Sequence, residues 1–185
     1  MTPMIDYGRF LSHHCRPAAD MFVRHFPDWI RRRFRDDAAA LRYYRDLYAI
    51  TAHENFDCCW AVTDRTRLVG FMLSTRRAQL RLRFALRLLA GVYGYRVVLR
   101  TLEARRQLRP TYPHMEVLFV EPEYRSTGIG RQMLMRTLDQ LKGETISTAV
   151  EHYNATVIKR YEALGFVIER QNDEGVLMVC RGGDR

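Results

Sequence analysis

The residues best placed to do chemistry stand in one run, Val117-Leu118-Phe119-Val120-Glu121-Pro122-Glu123-Tyr124-Arg125-Ser126-Thr127-Gly128-Ile129-Gly130-Arg131. A buried-strand pattern feeds a turn carrying Gly128 and Gly130, and a helical pattern opens directly after it. Backbone N–H groups at a helix N-terminus have no partner within the helix, converge on one point and carry the positive end of the dipole. Such a turn is built to take an anion, and a pyrophosphate fits it. The two glycines let the backbone approach closely, and Arg125 and Arg131 add charge. Spacing removes two phosphate-binding classes. A Walker loop requires Gly-x4-Gly-Lys-Ser/Thr, which is absent, and a dinucleotide fingerprint requires a third small residue where Met133 stands.

A second run, Asn154-Ala155-Thr156-Val157-Ile158-Lys159-Arg160-Tyr161-Glu162-Ala163-Leu164-Gly165-Phe166, carries a polar amide and a phenol on one predicted helix. On spacing alone, Tyr161 and Phe166 read as core aromatics. A phenol of ordinary pKa, about 10, also stays protonated at neutral pH and is able to give a proton to a leaving group.

Together the two runs resemble the paired signatures of the GNAT superfamily of acetyl-CoA-dependent N-acetyltransferases. The first is Arg125-x-x-Gly128-x-Gly130 after a strand and a Pro-bearing turn; the second is Asn154 seven residues ahead of Tyr161, then Leu164-Gly165-Phe166. The resemblance covers roughly the last 75 residues, and the earlier elements follow the family's order. It implies acetyl-CoA as cosubstrate, an amine acceptor and direct transfer with no cysteine nucleophile. It also implies roles. The strand segment Leu118, Phe119 and Val120 would hold the pantetheine arm, through the main chain of Leu118 and Val120. Arg125, Ser126, Thr127, Gly128, Ile129, Gly130 and Arg131 would bind the pyrophosphate, Asn154 would hydrogen-bond the cofactor arm, and Tyr161 would protonate the leaving sulfur. Two positions depart from the pattern: Ser126 stands where glycine is frequent, a place serine fills if its backbone angles are ordinary, and Val157 stands where alanine is common.

An attacking amine must be neutral, and a lysine-like amine of pKa about 10.4 is neutral in about one molecule in two thousand at pH 7. A base or water relay is therefore useful. The two-residue period of a strand puts His114, Glu116, Leu118 and Val120 on one face, which makes Glu116 the first candidate base and His114 the second.

The elements that must position these groups are α/β with a mixed, mostly antiparallel sheet. The pattern predicts a strand over 7–11 and helices beginning at Pro17, Asp28 and Asp36 or Asp37, the last over 38–50. A hairpin follows, with strands over 58–62 and 68–73. Strands over 115–120 and 145–150, helices over 128–141 and 154–164, and closing strands over 165–169 and 176–180 complete the chain. The whole, 1–185, reads as one domain with a basic helical insertion over 76–112.

The net charge of +9 is regional, because 76–109 holds ten arginines and one acid while the rest is balanced. That segment is expected to lie beside the acceptor end of the cleft and to attract an acidic partner by steering. The rival class is a noncatalytic acyl-CoA-binding regulator or nucleic-acid-binding module using this segment, although no recognised nucleic-acid motif accompanies the charge. Cys15, Cys58, Cys59 and Cys180 suit a reducing cytoplasm. His13-His14-Cys15 lacks a second ligand pair at zinc spacing, so no metal is expected. No membrane span is expected either, and the closing strands offer a site for a homodimer.

Overall fold

The computed structural model describes residues 4–34, 36–76, 113–152, 154–173 and 175–181. The basic insertion, apart from Arg76, lies outside the described residues, and with it the expected helices and the steering surface for an acidic partner.

Seven strands form one sheet: β1 (Ile5–Arg9), β2 (Trp60–Asp64), β3 (Arg67–Thr75), β4 (His114–Val120), β5 (Ile146–Glu151), β6 (Val167–Gln171) and β7 (Gly175–Cys180). Their order is β1-β2-β3-β4-β5-β7-β6. Every neighbouring pair is antiparallel except β4 with β5. The mixed, mostly antiparallel α/β architecture read from the sequence is the one observed.

Helices cover both faces. On one side lie α1 (Cys15–His25), α2 (Pro27–Arg33) and α3 (Asp37–Glu54). They bury Ala18, Met21, Ile30, Tyr44 and Tyr48 against Phe71, Leu73 and Phe119 of the sheet. On the other lie α4 (Ile129–Gln140) and α5 (Ala155–Glu162), which bury Ile129, Met133, Leu138 and Tyr161 against Met72, Met115, Ile146 and Met178.

Local chemistry explains the helix starts. Asp36 caps α3 by accepting the Ala39 N–H at 2.6 Å. The expected cap at Asp28 is corrected: Phe26 holds the N-cap position of α2, Pro27 occupies its first turn and Asp28 lies inside it. Proline suits that place because its missing N–H would be unpaired there anyway. The hairpin connection is also shorter than expected, with Arg65 at φ 56, because β2 lies two residues later than expected and β3 is longer.

Gly175 opens β7 where β5 passes closest. A Cβ there would collide with the Val150 carbonyl and stand 3.1 Å from the Glu151 Cα, both parts of a fixed ladder. Gly175→Ala is therefore expected to cost about 1–3 kcal/mol by overpacking, read as a lower urea midpoint with unchanged slope.

Candidate active site

β4 and β5 run parallel for only two residue pairs, His114 with Ser147 and Met115 with Thr148, after which no pairing joins them. On its other edge β4 stays bound to β3 through Val120. The Glu121 N–H donates to the Val69 carbonyl at 2.9 Å, which fixes the alternation of the ladder. Phe119 and Val117 then exchange main-chain bonds with β3, while the N–H and C=O groups of Leu118 and Val120 point away, toward the opening beside β5. Phe119 itself faces the core: its ring is buried and stacks on Phe71 at 5.8 Å.

The turn after β4 is held from below. A single 3-10 turn, Pro122–Tyr124, follows Glu121. The Tyr124 hydroxyl donates to Asp64 Oδ2 at 2.7 Å, and Thr127 Oγ1 donates to the Tyr124 carbonyl at 2.6 Å. The Glu121 carboxylate is buried, accepts from His25 Nε2 at 2.8 Å and lies within 4 Å of Arg24 and Arg67. Buried carboxylates require such partners, so Glu121 ties α1 and β3 to the start of the turn.

Gly128 (φ 87) sits at the N-cap of α4 and supplies no side-chain cap. Among the described residues, the first N–H of this helix to meet a backbone acceptor is that of Gln132, on Gly128 O at 2.9 Å. The N–H groups of Ile129, Gly130 and Arg131 are left for an anion. Ile129 is buried and anchors the helix, and a Cβ on Gly130 would stand 3.6 Å from Val120 Cγ2, so helix and strand pack closely there. Arg131 is exposed. Arg125 donates from Nε to the Val120 carbonyl at 3.1 Å, and its guanidinium lies 5.8 Å from the Phe119 ring centre.

Ser126 has φ 67, so the condition of ordinary backbone angles is not met. A Cβ is strained in this region. Ser126→Gly is expected to stabilise the protein by roughly 0.5–1 kcal/mol after the added chain entropy of glycine, measured by urea denaturation; an unchanged or lower midpoint would show that no strain is relieved.

Tyr161 comes to the same face. It is 6% exposed and packs edge-on against Phe166 at 5.1 Å. Thr148 of β5 is its polar neighbour, and Thr148 Oγ1 donates to the Met115 carbonyl at 3.3 Å. The phenol thus stands where β4 and β5 part. Burial pushes it up to about 12, against a smaller lowering by Thr148, so it is a protonated donor at neutral pH. Asn154 precedes α5, and its side chain makes no cap to that helix. Thr148 gave no signal in the sequence beyond strand propensity; its role depends on register.

The shared face expected for His114, Glu116, Leu118 and Val120 is corrected. The β3–β4 register slips between Leu73 and Ser74, pairing them with Val117 and Met115 and leaving Glu116 as the extra residue of a bulge. A bulge reverses the alternation beyond it. Met115 therefore joins Leu118 and Val120 on the α4/α5 face, while Glu116 accepts from Thr75 Oγ1 at 3.0 Å and lies near Tyr48 of α3. His114 is buried and shares a 2.7 Å hydrogen bond with Ser147 Oγ. Desolvation lowers its pKa more than the Glu116 charge raises it, so the imidazole is neutral at pH 7. The two candidate bases and Tyr161 consequently approach the opening from opposite sides of the sheet.

A sheet that parts at its centre, with an uncapped helix N-terminus beside a buried phenol, defines an acyl-transferase type of site. The sequence matches the Acetyltransferase (GNAT) family model over residues 20–166, and the chain belongs to that family. It is an acetyltransferase by that membership. Among curated proteins no sequence match is found. Solved structures share the fold. PH1933 from Pyrococcus horikoshii is 16% identical with a TM-score of 0.65, over 96% of this chain and 98% of its own. Arabidopsis thaliana Naa50, in complex with the bisubstrate analogue CoA-Ac-MVNAL, is 17% identical at 0.58, over 95% and 96%. Diaminobutyrate acetyltransferase EctA from Paenibacillus lautus, in complex with L-2,4-diaminobutyric acid and coenzyme A, is 13% identical at 0.57, over 100% and 98%.

Among the described residues, no group of three or more His, Cys, Asp or Glu side chains is arranged to hold a metal, and the four cysteines are buried and form no disulfide. No described helix is long and apolar enough to cross a membrane.

Proposed function

We propose that the protein, a single GNAT domain over 1–185, moves an acetyl group from acetyl-CoA directly to a primary amine. The observation that carries this reading is the buried Tyr161 phenol beside Thr148, at the last residue pair before β4 and β5 separate. The fit to the donor rests on this chain's own groups. The open N–H groups of α4 take the pyrophosphate, supported by Thr127 and Ser126 in the turn and by Arg131 at its edge. The outward main chain of Leu118 and the N–H of Val120 pair with the pantetheine arm like a missing strand, and the Asn154 amide faces the same arm. The Val120 carbonyl is engaged by Arg125 Nε, which orders the strand end and leaves the terminal N–H groups of that guanidinium for the phosphates.

The amine enters from the face of α1 and α3. Glu116 or a water it holds takes the amine proton, with the neutral His114 second to it. The amine attacks the thioester carbonyl, the N–H at Val120 polarises its oxygen, and Tyr161 protonates the departing sulfur from the other face. The amine classes accepted by Naa50 and EctA, a peptide N-terminus and L-2,4-diaminobutyric acid, are the first two to assay. Turnover of acetyl-CoA with either, lost in Glu116→Gln with the acetyl-CoA KM kept, supports the assignment. A wild-type rate in Glu116→Gln removes Glu116 as the base.

A further inference from the structure

We propose that Thr75 is a positioning residue that orients the Glu116 carboxylate. The inference rests on the reading of Glu116 as the amine's base and adds what holds it.

The bulge makes the arrangement. Without the extra residue in β4, Glu116 would keep the parity of Leu118 and Val120 and point toward α4. With it, the carboxylate turns to the helix α3 face and meets the Thr75 hydroxyl, which is itself 4% exposed. Thr75 Oγ1 has two acceptors in reach, Glu116 Oε1 at 3.0 Å and the His114 carbonyl at 3.4 Å. One hydroxyl carries one proton, and the shorter, charge-assisted contact is the stronger, so the proton goes to Glu116.

Thr75 is held in turn by the ladder, where it pairs with His114 of β4. On Glu116's own strand, His114 is hydrogen-bonded to Ser147. A buried donor fixed by the β3–β4 ladder thus holds a side chain that stands on an exposed bulge residue, as a base needs if it is to meet the amine in one geometry.

The test uses the full chain labelled with [5-13C]glutamate. The Glu116 carboxyl resonance is identified by its disappearance in Glu116→Gln. Thr75→Val, which is near-isosteric, is expected to move that resonance at constant pH, and Thr75→Ser is expected to restore it. In turnover with the peptide or diaminobutyrate, kcat should fall about tenfold in Thr75→Val while the acetyl-CoA KM stays within about twofold, with recovery in Thr75→Ser. A resonance unmoved by Thr75→Val overturns the inference, whatever Glu116→Gln does. A wild-type rate in Glu116→Gln overturns instead the reading on which it rests.

Discussion

Tyr161→Phe is expected to retain acetyl-CoA affinity and to lose turnover by about a hundredfold or more, the usual scale for a positioned general acid. The ring of phenylalanine keeps the contact with Phe166, so packing is preserved and only the proton donor is removed. The signature is a fall in kcat with little change in KM for acetyl-CoA. The variant also carries a stability test. The phenol is pushed from 10.0 up to about 12 in the folded state, so its contribution is fully present below pH 10 and is lost as pH rises through the folded value. Urea midpoints of the wild type should therefore decline above pH 10, and Tyr161→Phe should flatten that part of the decline. An active Tyr161→Phe enzyme would show that another group protonates the sulfur.

Gly128→Glu is expected to lower acetyl-CoA affinity by at least about a hundredfold. The position has φ 87, where any side chain is strained, although no atom lies within 4 Å of an added Cβ. The loss would therefore come from backbone conformation and charge, not from a clash. A carboxylate beside the free N–H groups of α4 occupies the place of the pyrophosphate and repels it. Gly128→Ala separates the two causes, since it adds the strain without the charge and should lose less. Isothermal titration of the three proteins checks the order; equal affinity in all three would place the pyrophosphate elsewhere.

The turn from Arg125 to Arg131 was legible in the sequence because its chemistry is local. A strand, two glycines and a helix start within a few residues define an anion site before any tertiary contact is known. The Asn154 and Tyr161 run was legible as a helix, as was the order of most elements, but the roles proposed for it come from the resemblance to the family, since on spacing alone Tyr161 reads as a core aromatic. The sidedness of Glu116 and His114 was not. Strand periodicity puts them with Leu118 and Val120, and only the pairing with β3, forty residues away in the chain, reveals the bulge that turns them to the other face. Thr148 and Thr75 carry no motif; each matters through the register of a neighbouring strand. Arg125 was legible as a phosphate ligand by position; its Nε bond to the carbonyl at the end of its own strand was not. At Ser126 the family's glycine predicts a left-handed backbone, and the serine adopts it at φ 67 with the attendant strain.

Calorimetric titration of the folded wild-type protein with acetyl-CoA tests the central claim most directly. One saturable site is expected, accompanied by a thermal midpoint that rises with ligand concentration, because the open turn of α4 and the parted strands exist only in the folded state. No heat and no midpoint shift at millimolar acetyl-CoA would contradict the account.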